Sequence, residues 1–224
     1  MASSVQSKLL LESAQRYAQA ISPEALTVLA ERGISEEVAA RYQLGTITEP
    51  MNGHEQYEGW ISIPYITAMG HCVGFKFRRV DEGKPKYGGP TGQKSHLYNV
   101  CDITLASKYI VVTEGELDCI VVSGVLGIPS VGVPGVQAWK PHFPKLFNGY
   151  ETVYVAGDND IPKVNPSNPD EEINPGQQFS KRVASEIINS VIVTLPPGMD
   201  INDYYLAYGA DATKALLVGE SKGE

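Results

Sequence analysis

Cysteine is scarce in this 224-residue chain, which has three: Cys72, Cys101 and Cys119. They form no pair of Cys-x-x-Cys motifs, and none stands at metal-ligand spacing from a histidine. A zinc ribbon is therefore excluded. We expect all three thiols to be small buried hydrophobic groups rather than members of disulfides.

Long apolar runs are absent as well. No stretch reaches transmembrane length, and Met1 to Leu10 lacks both the basic segment and the apolar core of a signal peptide. The hydrophobic content of 42% nevertheless suffices for a packed core. The sequence thus predicts a cytoplasmic protein with no membrane partner.

An excess of positive charge is also lacking. The net charge of −8 argues against a protein that coats nucleic acid by bulk charge. One short stretch differs, because residues 76–94 hold six basic side chains and only two acidic ones. The basic residues are Lys76, Arg78, Arg79, Lys84, Lys86 and Lys94. Charge alone favours a solvated, exposed loop over 81–94 rather than a binding surface.

Helix signals in the first part of the chain precede strand signals. Ser22-Pro23-Glu24 and Ser35-Glu36-Glu37 are typical of helix starts, and Gly33 is typical of a helix end. Residues 60–66 and 72–80 are rich in β-formers and are joined by a short loop. We predict a first domain over 1–104, with a helical head and antiparallel strands.

From Tyr109 onward, apolar β-runs alternate with helical segments, which predicts an α/β domain with a mainly parallel sheet. The predicted strands are 109–113, 130–133, 152–156 and 191–194, and the predicted helices are 117–125, 138–147, 176–189 and 201–218. This domain should cover 105–196, with an inserted loop at 161–175, and a helical segment should cover 197–224.

Acidic residues follow two of these predicted strands. Glu114-Gly115-Glu116-Leu117-Asp118 follows the first, and Asp158-Asn159-Asp160 follows the third. The carboxyl ends of parallel strands meet at one sheet edge. Two carboxylates ~5 Å apart would repel by about 3 kcal/mol, which favours a bound Mg²⁺ or Mn²⁺. For Glu116 or Asp118 taken alone, capping of the next helix explains the acid equally well.

The strand followed by Glu114-Gly115-x-x-Asp118, with a later strand ending in Asp158-x-Asp160, resembles the Toprim domain of bacterial-type primases, topoisomerases, certain nucleases and recombination proteins. The preceding half is similar, in order, to the amino-terminal half of the bacterial and phage primase catalytic core. The matching residues are Arg32-Gly33-Ile34, Leu44-Gly45, Ile63-Pro64, Gly70, Gly74-Phe75, Arg78, Lys86-Tyr87, Lys94 and Leu97-Tyr98, with Leu195 to Asp203 further on.

The resemblance implies a Toprim domain preceded by a primase-type α+β subdomain, and synthesis of RNA primers on single-stranded DNA by metal-dependent nucleotidyl transfer. It implies catalytic roles for Glu114 and Asp118, and Mg²⁺ or Mn²⁺ binding by Glu114, Asp158 and Asp160. The residues implied in nucleic-acid or nucleotide binding are Lys76, Arg78, Lys86 and Lys94. The implied partners are nucleoside triphosphates, a replicative helicase and a separate zinc-binding subunit that recognises the template.

One departure from the family pattern keeps part of this interpretation open. Primases of this type commonly place another acid and a glycine directly after the aspartates of the second acid motif, whereas Ile161-Pro162-Lys163 follows Asp160 here. Asp170, Glu171 and Glu172 are the alternatives for a third ligand. Two other functions also stay open: a Toprim-class nuclease, and a non-catalytic replication scaffold that binds single-stranded DNA.

Overall fold

The computed structural model describes residues 4–135, 137–165 and 168–219. The chain divides into two compact units, Met1–Cys101 and Asp102–Glu224, and each is described by itself below. The finer division predicted from the sequence, with boundaries at 104 and 196, stays a prediction.

The first unit begins with three helices: α1 (Ser4–Gln19), α2 (Pro23–Ala30) and α3 (Glu36–Arg41). The predicted serine caps are present. The side chain of Ser22 accepts a hydrogen bond from the Ala25 backbone at 3.2 Å, and that of Ser35 accepts one from Val38 at 3.3 Å. Both bonds satisfy amides that a helix start would otherwise leave unpaired.

An antiparallel sheet of four strands follows, in the order β1 (Gly45–Thr46), β2 (Ile61–Ile66), β3 (Cys72–Arg78) and β4 (Tyr87–Gly88). The expectation of a loop throughout 81–94 was therefore wrong at β4. Backbone pairing of Arg78 with Tyr87 brings this short segment onto the edge of β3. The pairing also places the side chains of Arg78 and Tyr87 beside each other.

The core of the first unit lies between α1 and this sheet. A Cβ atom built on Gly45 would lie 2.0 Å from the Tyr17 carbonyl oxygen, so only glycine lets α1 approach β1 this closely. The buried cluster at this contact comprises Leu10, Ala14, Tyr17, Ile47, Tyr57, Cys72, Phe75 and Phe77. Aromatic rings thus dominate the packing of this unit.

The second unit is built on a parallel sheet with the strand order β10 (Ser190–Ile192), β7 (Thr152–Ala156), β5 (Tyr109–Thr113), β6 (Ser130–Gly132). Ile110, Val111 and Val112 of the central strand β5 are fully buried. Burial of consecutive residues means that both faces of the strand are covered, as parallel sheets require. The predicted α/β class is confirmed.

Three helices accompany this sheet: α4 (Glu116–Ile120), α5 (Pro175–Glu186) and α6 (Ile201–Val218). The predicted helix 117–125 is shorter, because a π-helical turn over Val121–Val125 continues α4. The helix predicted over 138–147 was wrong. Only a 3₁₀ turn, Phe143–Phe147, forms there, since Pro141 and Pro144 lack the amide hydrogens that a helix interior needs.

The longest helix, α6, has 18 residues and is kinked at Gly209, whose φ of 81° is left-handed. Along the parts of the chain that the structure describes, no helix has the length and hydrophobicity needed to cross a membrane. The segment 161–175 was expected to be a loop. It instead contains an antiparallel ribbon of β8 (Lys163–Asn165) and β9 (Asn168–Ile173), paired from Lys163↔Ile173 onward.

Candidate functional site

The two acidic motifs follow the adjacent parallel strands β5 and β7 and therefore lie at the same edge of the sheet. In the register of β5 and β7, Thr113 lies opposite Ala156. Glu114 follows Thr113 directly, and Asp158 follows Ala156 after Gly157. The Glu114 carboxylate spans this distance, because its Oε2 accepts a hydrogen bond from the backbone amide of Asp158 at 3.2 Å. The parallel sheet therefore brings together two motifs that lie far apart in the sequence.

Asp158 is at the centre of a cluster of negative charges. Burial raises the pKa of its carboxyl group to about 9, and four neighbouring carboxylates add to the effect: Asp118, Glu114, Asp200 and Asp160. We call these five residues the acid site. Without a cation, the site is stabilised by protonation of Asp158, since desolvation and like charges both disfavour its ionised form.

The four acids predicted to be catalytic or metal-binding, Glu114, Asp118, Asp158 and Asp160, belong to this cluster, in differing environments. Asp118 is buried in the first turn of α4, Glu114 and Asp158 are half-buried, and Asp160 is exposed. Glu172, a predicted alternative for a third ligand, is exposed on the ribbon. The side chains of Asp170 and Glu171 lie outside the described residues.

Asp200 is the member of the cluster that the sequence interpretation missed. It caps α6 by accepting a hydrogen bond from the Asp203 amide at 2.7 Å. The backbone just before it bonds to the loop between the other acids, with Asn159 N donating to Met199 O at 3.0 Å and Gly198 N to Asn159 O at 2.6 Å. The segment Leu195 to Asp203 in the family pattern was the available signal.

Gly176, at the start of α5, lies against the acid site. A Cβ atom there would be 2.1 Å from the Asp158 carbonyl oxygen and 2.8 Å from Glu114 Oε2. No other residue type fits this position without moving one of the two acids. The contact fixes where α5 begins relative to the acid-bearing loop.

The donor set of the acid site fits a hard divalent cation. Its side chains offer carboxylate oxygens, which Mg²⁺ and Mn²⁺ prefer, with neither a thiolate nor an imidazole. Within the ranges that the structure describes, however, no three His, Cys, Asp or Glu side chains are gathered closely enough to hold an ion. The carboxylates repel one another because they are neighbours, but among the described residues no three of them surround one position that an ion could occupy.

The predicted basic residues differ strongly in exposure. Arg78 is buried and Lys76 is half-buried, whereas Lys86 and Lys94 are exposed. Tyr87 contacts both Arg78 and Lys76. Its hydroxyl accepts a hydrogen bond from Arg78 Nη1 at 2.8 Å, and its ring centroid lies 4.8 Å from Lys76 Nζ and 5.4 Å from Arg78 Cζ. We call these three residues the basic trio.

Lys94 is positioned by the residue before it. The amide group of Gln93 pairs with the backbone of Phe75 like a neighbouring strand, accepting from Phe75 N at 2.8 Å and donating to Phe75 O at 2.9 Å. Gly74 makes room for this contact, since its Cβ would lie 2.4 Å from Gln93 Oε1. The loop before Lys94 is thereby fixed to β3.

No family model matches the sequence. The Gene 57 protein of Mycobacterium phage D29 is 39% identical over 160 residues, which cover 70% of this chain and 96% of that protein. The DNA primase of Staphylococcus aureus strain COL is 25% identical over 206 residues, which cover 87% of this chain and 32% of the primase. The chain thus spans about a third of the length of the primases that it matches.

Solved primase structures share the fold. The Aquifex aeolicus primase structure, with zinc-binding and RNA polymerase domains, superposes with a TM-score of 0.74 at 19% identity, covering 93% of this chain and 59% of that one. A DNA primase domain from Pseudomonas aeruginosa gives 0.72 at 20% identity, covering 93% and 77%. The predicted resemblance to primase catalytic cores is confirmed at the level of the fold.

Proposed function

We propose that this chain, which belongs to the same family as the Gene 57 protein of Mycobacterium phage D29, is the catalytic core of a DNA primase that makes RNA primers on single-stranded DNA. The proximity of four other carboxylates to Asp158, at one edge of the parallel sheet, carries the proposal. The sequence similarity to DNA primases and the shared fold of primase catalytic cores support it.

In the proposed reaction, the 3′-hydroxyl oxygen of one nucleotide forms a bond to the α-phosphorus of the next, and the bond to pyrophosphate breaks. The hydroxyl proton passes to a carboxylate, for which we propose Glu114. Its Oε2 accepts from the Asp158 amide, and this bond orients the carboxylate relative to the other acids.

Asp158, Asp160 and Glu114 would hold Mg²⁺ or Mn²⁺, with Asp118 and Asp200 beside them. When bound, such an ion supplies positive charge that lowers the pKa of the attacking hydroxyl and neutralises the leaving pyrophosphate. The chain's own contribution is a sheet edge that holds these carboxylates near one another, so that part of the cost of ordering them is met before the reaction.

The basic residues of the first unit would bind phosphates of the template, the primer or the incoming triphosphate. Arg78 supports this role, because its Nε is buried and finds no hydrogen-bond partner among the residues that the structure describes. A buried donor of this kind is stabilised when an anionic oxygen accepts from it. Lys76, Lys86 and Lys94 would add contacts of little sequence preference.

A separate zinc-binding subunit and a replicative helicase are the partners that we propose, together with single-stranded DNA and nucleoside triphosphates. Two structural neighbours support the first two: the Aquifex aeolicus primase structure contains a zinc-binding domain, and another neighbour is the primase fragment of the bacteriophage T7 primase-helicase protein.

Incorporation of labelled ribonucleotides on mixed-sequence single-stranded DNA tests the proposal, with Mg²⁺ or Mn²⁺ present. We expect short products from the wild type and none from Asp158→Ala with Asp160→Ala. Asp211→Ala removes an exposed carboxylate from α6 and is the control that should retain activity. Absence of products even with helicase and zinc-binding partners supplied would refute primer synthesis, and cleavage without triphosphates would favour the nuclease.

A further inference from the structure

The ribbon of β8 and β9 interrupts the chain between the acid-bearing loop and α5. The chain leaves at Asp160 and returns at Asn174, with the backbone pair Lys163↔Ile173 near the base of the ribbon. An excursion of this kind lengthens the connection between Asp160 and α5. Contacts between its two ends are therefore needed to keep Asp158 and Asp160 in place.

Asn174 makes those contacts with its side chain. Its Nδ2 donates to the Asp160 carbonyl oxygen at 2.6 Å and to Asn159 Oδ1 at 2.9 Å. Its Oδ1 accepts from the Gln177 backbone amide at 3.1 Å, which caps α5. One half-buried side chain thus bonds both to the loop that carries the acids and to the helix after the ribbon.

The bonds continue on both sides of Asn174. Gln177, in the first turn of α5, donates from Nε2 to the Asp158 carbonyl oxygen at 3.3 Å. Asn159 donates from its own Nδ2 to Leu195 O at 2.6 Å, in the segment that leads to Asp200. The network therefore touches the backbone of both predicted metal-binding aspartates and reaches the segment that positions Asp200.

We infer that Asn174 is a positioning residue that closes the inserted ribbon onto the acid site and holds Asp158 and Asp160 ready for a divalent cation. This inference rests on the proposed function, because it assigns the cation to the same site. Asn174 touches neither the ion nor the reacting atoms. It acts through the backbone and through Asn159, as residues behind metal ligands commonly do.

Replacement of Asn174 by serine separates positioning from helix capping. Serine at an N-cap accepts from the same helix amide, so α5 should keep its stability, whereas the shorter side chain cannot bond to both Asn159 and Asp160. Gln178→Ala is the matched control, since Gln178 is an exposed residue of α5, four positions after Asn174. Asn174→Ala, which removes the cap as well, measures how much capping contributes.

The test is a titration of the full chain with Mn²⁺, in which electron paramagnetic resonance measures the concentration of free ion. Thermal unfolding is measured in parallel. We expect Asn174→Ser to weaken Mn²⁺ binding roughly tenfold, with an unfolding midpoint close to that of the wild type and of Gln178→Ala. In the metal-free protein, hydrogen exchange at residues 158–160 should be faster in Asn174→Ser than in Gln178→Ala.

The outcomes distinguish this inference from the proposed function. Unchanged Mn²⁺ affinity and unchanged exchange in Asn174→Ser would overturn the positioning role, even if the wild type makes primers. A wild type that binds Mn²⁺ but makes no primers with its partners supplied would overturn primer synthesis, while a tenfold loss in Asn174→Ser would still support positioning. A wild type that binds no Mn²⁺ would overturn both.

Discussion

In the second unit, burial and four neighbouring carboxylates raise the pKa of Asp158 to about 9, whereas in the first unit two cations share the ring of one tyrosine. The acid site is thus held in a repulsive arrangement by the sheet and by backbone contacts. The basic trio is held by attraction, because both cations lie against the ring of Tyr87 and Arg78 donates to its hydroxyl. A site for a cation gains affinity from unrelieved repulsion, while a site for phosphates gains it from cations that are already oriented.

The largest effect should come from removing the central charge of the acid site. Asp158→Asn keeps this position neutral without the cost of protonating a carboxyl group, so the metal-free protein should unfold at a temperature at least as high as the wild type does. Loss of the carboxylate should nevertheless reduce primer synthesis by at least about 100-fold. Calorimetry and the ribonucleotide incorporation assay measure the two effects. A variant that is less stable as well as inactive would contradict the contrast between the acid site and the basic trio.

A smaller loss should follow when the acid site is distorted without a change of charge. Gly176→Ala places a methyl group against Asp158 O and Glu114 Oε2. Misplacement of this kind should lower synthesis by roughly 10- to 100-fold and destabilise the fold by about 1–3 kcal/mol. Gly149→Ala is the control, because its Cβ would meet nothing within 4 Å. Equal behaviour of the two variants would show that the close approach has no consequence.

The stability of the two units should also depend on pH in opposite directions. The raised pKa of Asp158 disfavours the folded second unit as the pH rises towards 9, whereas a histidine of the first unit disfavours its folded state as the pH falls. Burial lowers the pKa of His54 in the first unit to about 4, although nearby Glu55 raises it slightly. The neutral ring is therefore stabilising above the unfolded pKa near 6.5, and this contribution is lost as the pH falls towards 4. At pH 5 the loss is about 2 kcal/mol.

Urea unfolding of the wild type and of His54→Gln between pH 7 and pH 5 measures that loss. The variant should lack the part of the pH dependence that belongs to His54. The packing explains the preference for a neutral ring: Nδ1 lies 3.1 Å from the Tyr17 hydroxyl, which itself accepts from Met51 N, and the ring packs on Phe75 and Phe77. Parallel curves for both proteins would refute the assignment.

The smallest effect should come from the basic trio. Tyr87→Leu removes the ring from Lys76 and Arg78 and should weaken single-stranded DNA binding by about 1 kcal/mol, or roughly fivefold. Tyr87→Phe keeps the ring, loses the bond from Arg78, and should lie between Leu and the wild type. Fluorescence anisotropy at fixed salt measures the affinities, with exposed Tyr208→Leu as the control. Indistinguishable affinities would show that the cations do not need the ring.

The sequence was sufficient for the sheet of the second unit and for four of its five acids. Continuous apolar runs such as Ile110 to Val112 are typical of strands covered on both faces, and acids directly after such strands must lie at one edge. The caps at Ser22 and Ser35 were equally predictable, since they depend on residues three positions apart.

The remaining features depend on contacts that no local pattern contains. The ribbon over 161–175 has no alternation of apolar residues, so its pairing could not be predicted. Asp200 joins the acid site through the backbone bonds of Asn159 with Met199 and Gly198. Asn174 is an ordinary helix cap in the sequence, and its bonds to Asn159 and Asp160 appear only once the chain is folded.

The closed base of the ribbon has a practical consequence for protein engineering. The Asn174 side chain bonds to the Asp160 carbonyl oxygen, so the two ends of the inserted ribbon lie close together. A change in the length of the ribbon should therefore leave the positions of Asp160 and Asn174 unchanged. An affinity tag or a fluorescent reporter grafted between Val164 and Glu172 would extend from the molecule while leaving Asn174 in place. The ribbon is thus a natural insertion point for a label on this protein.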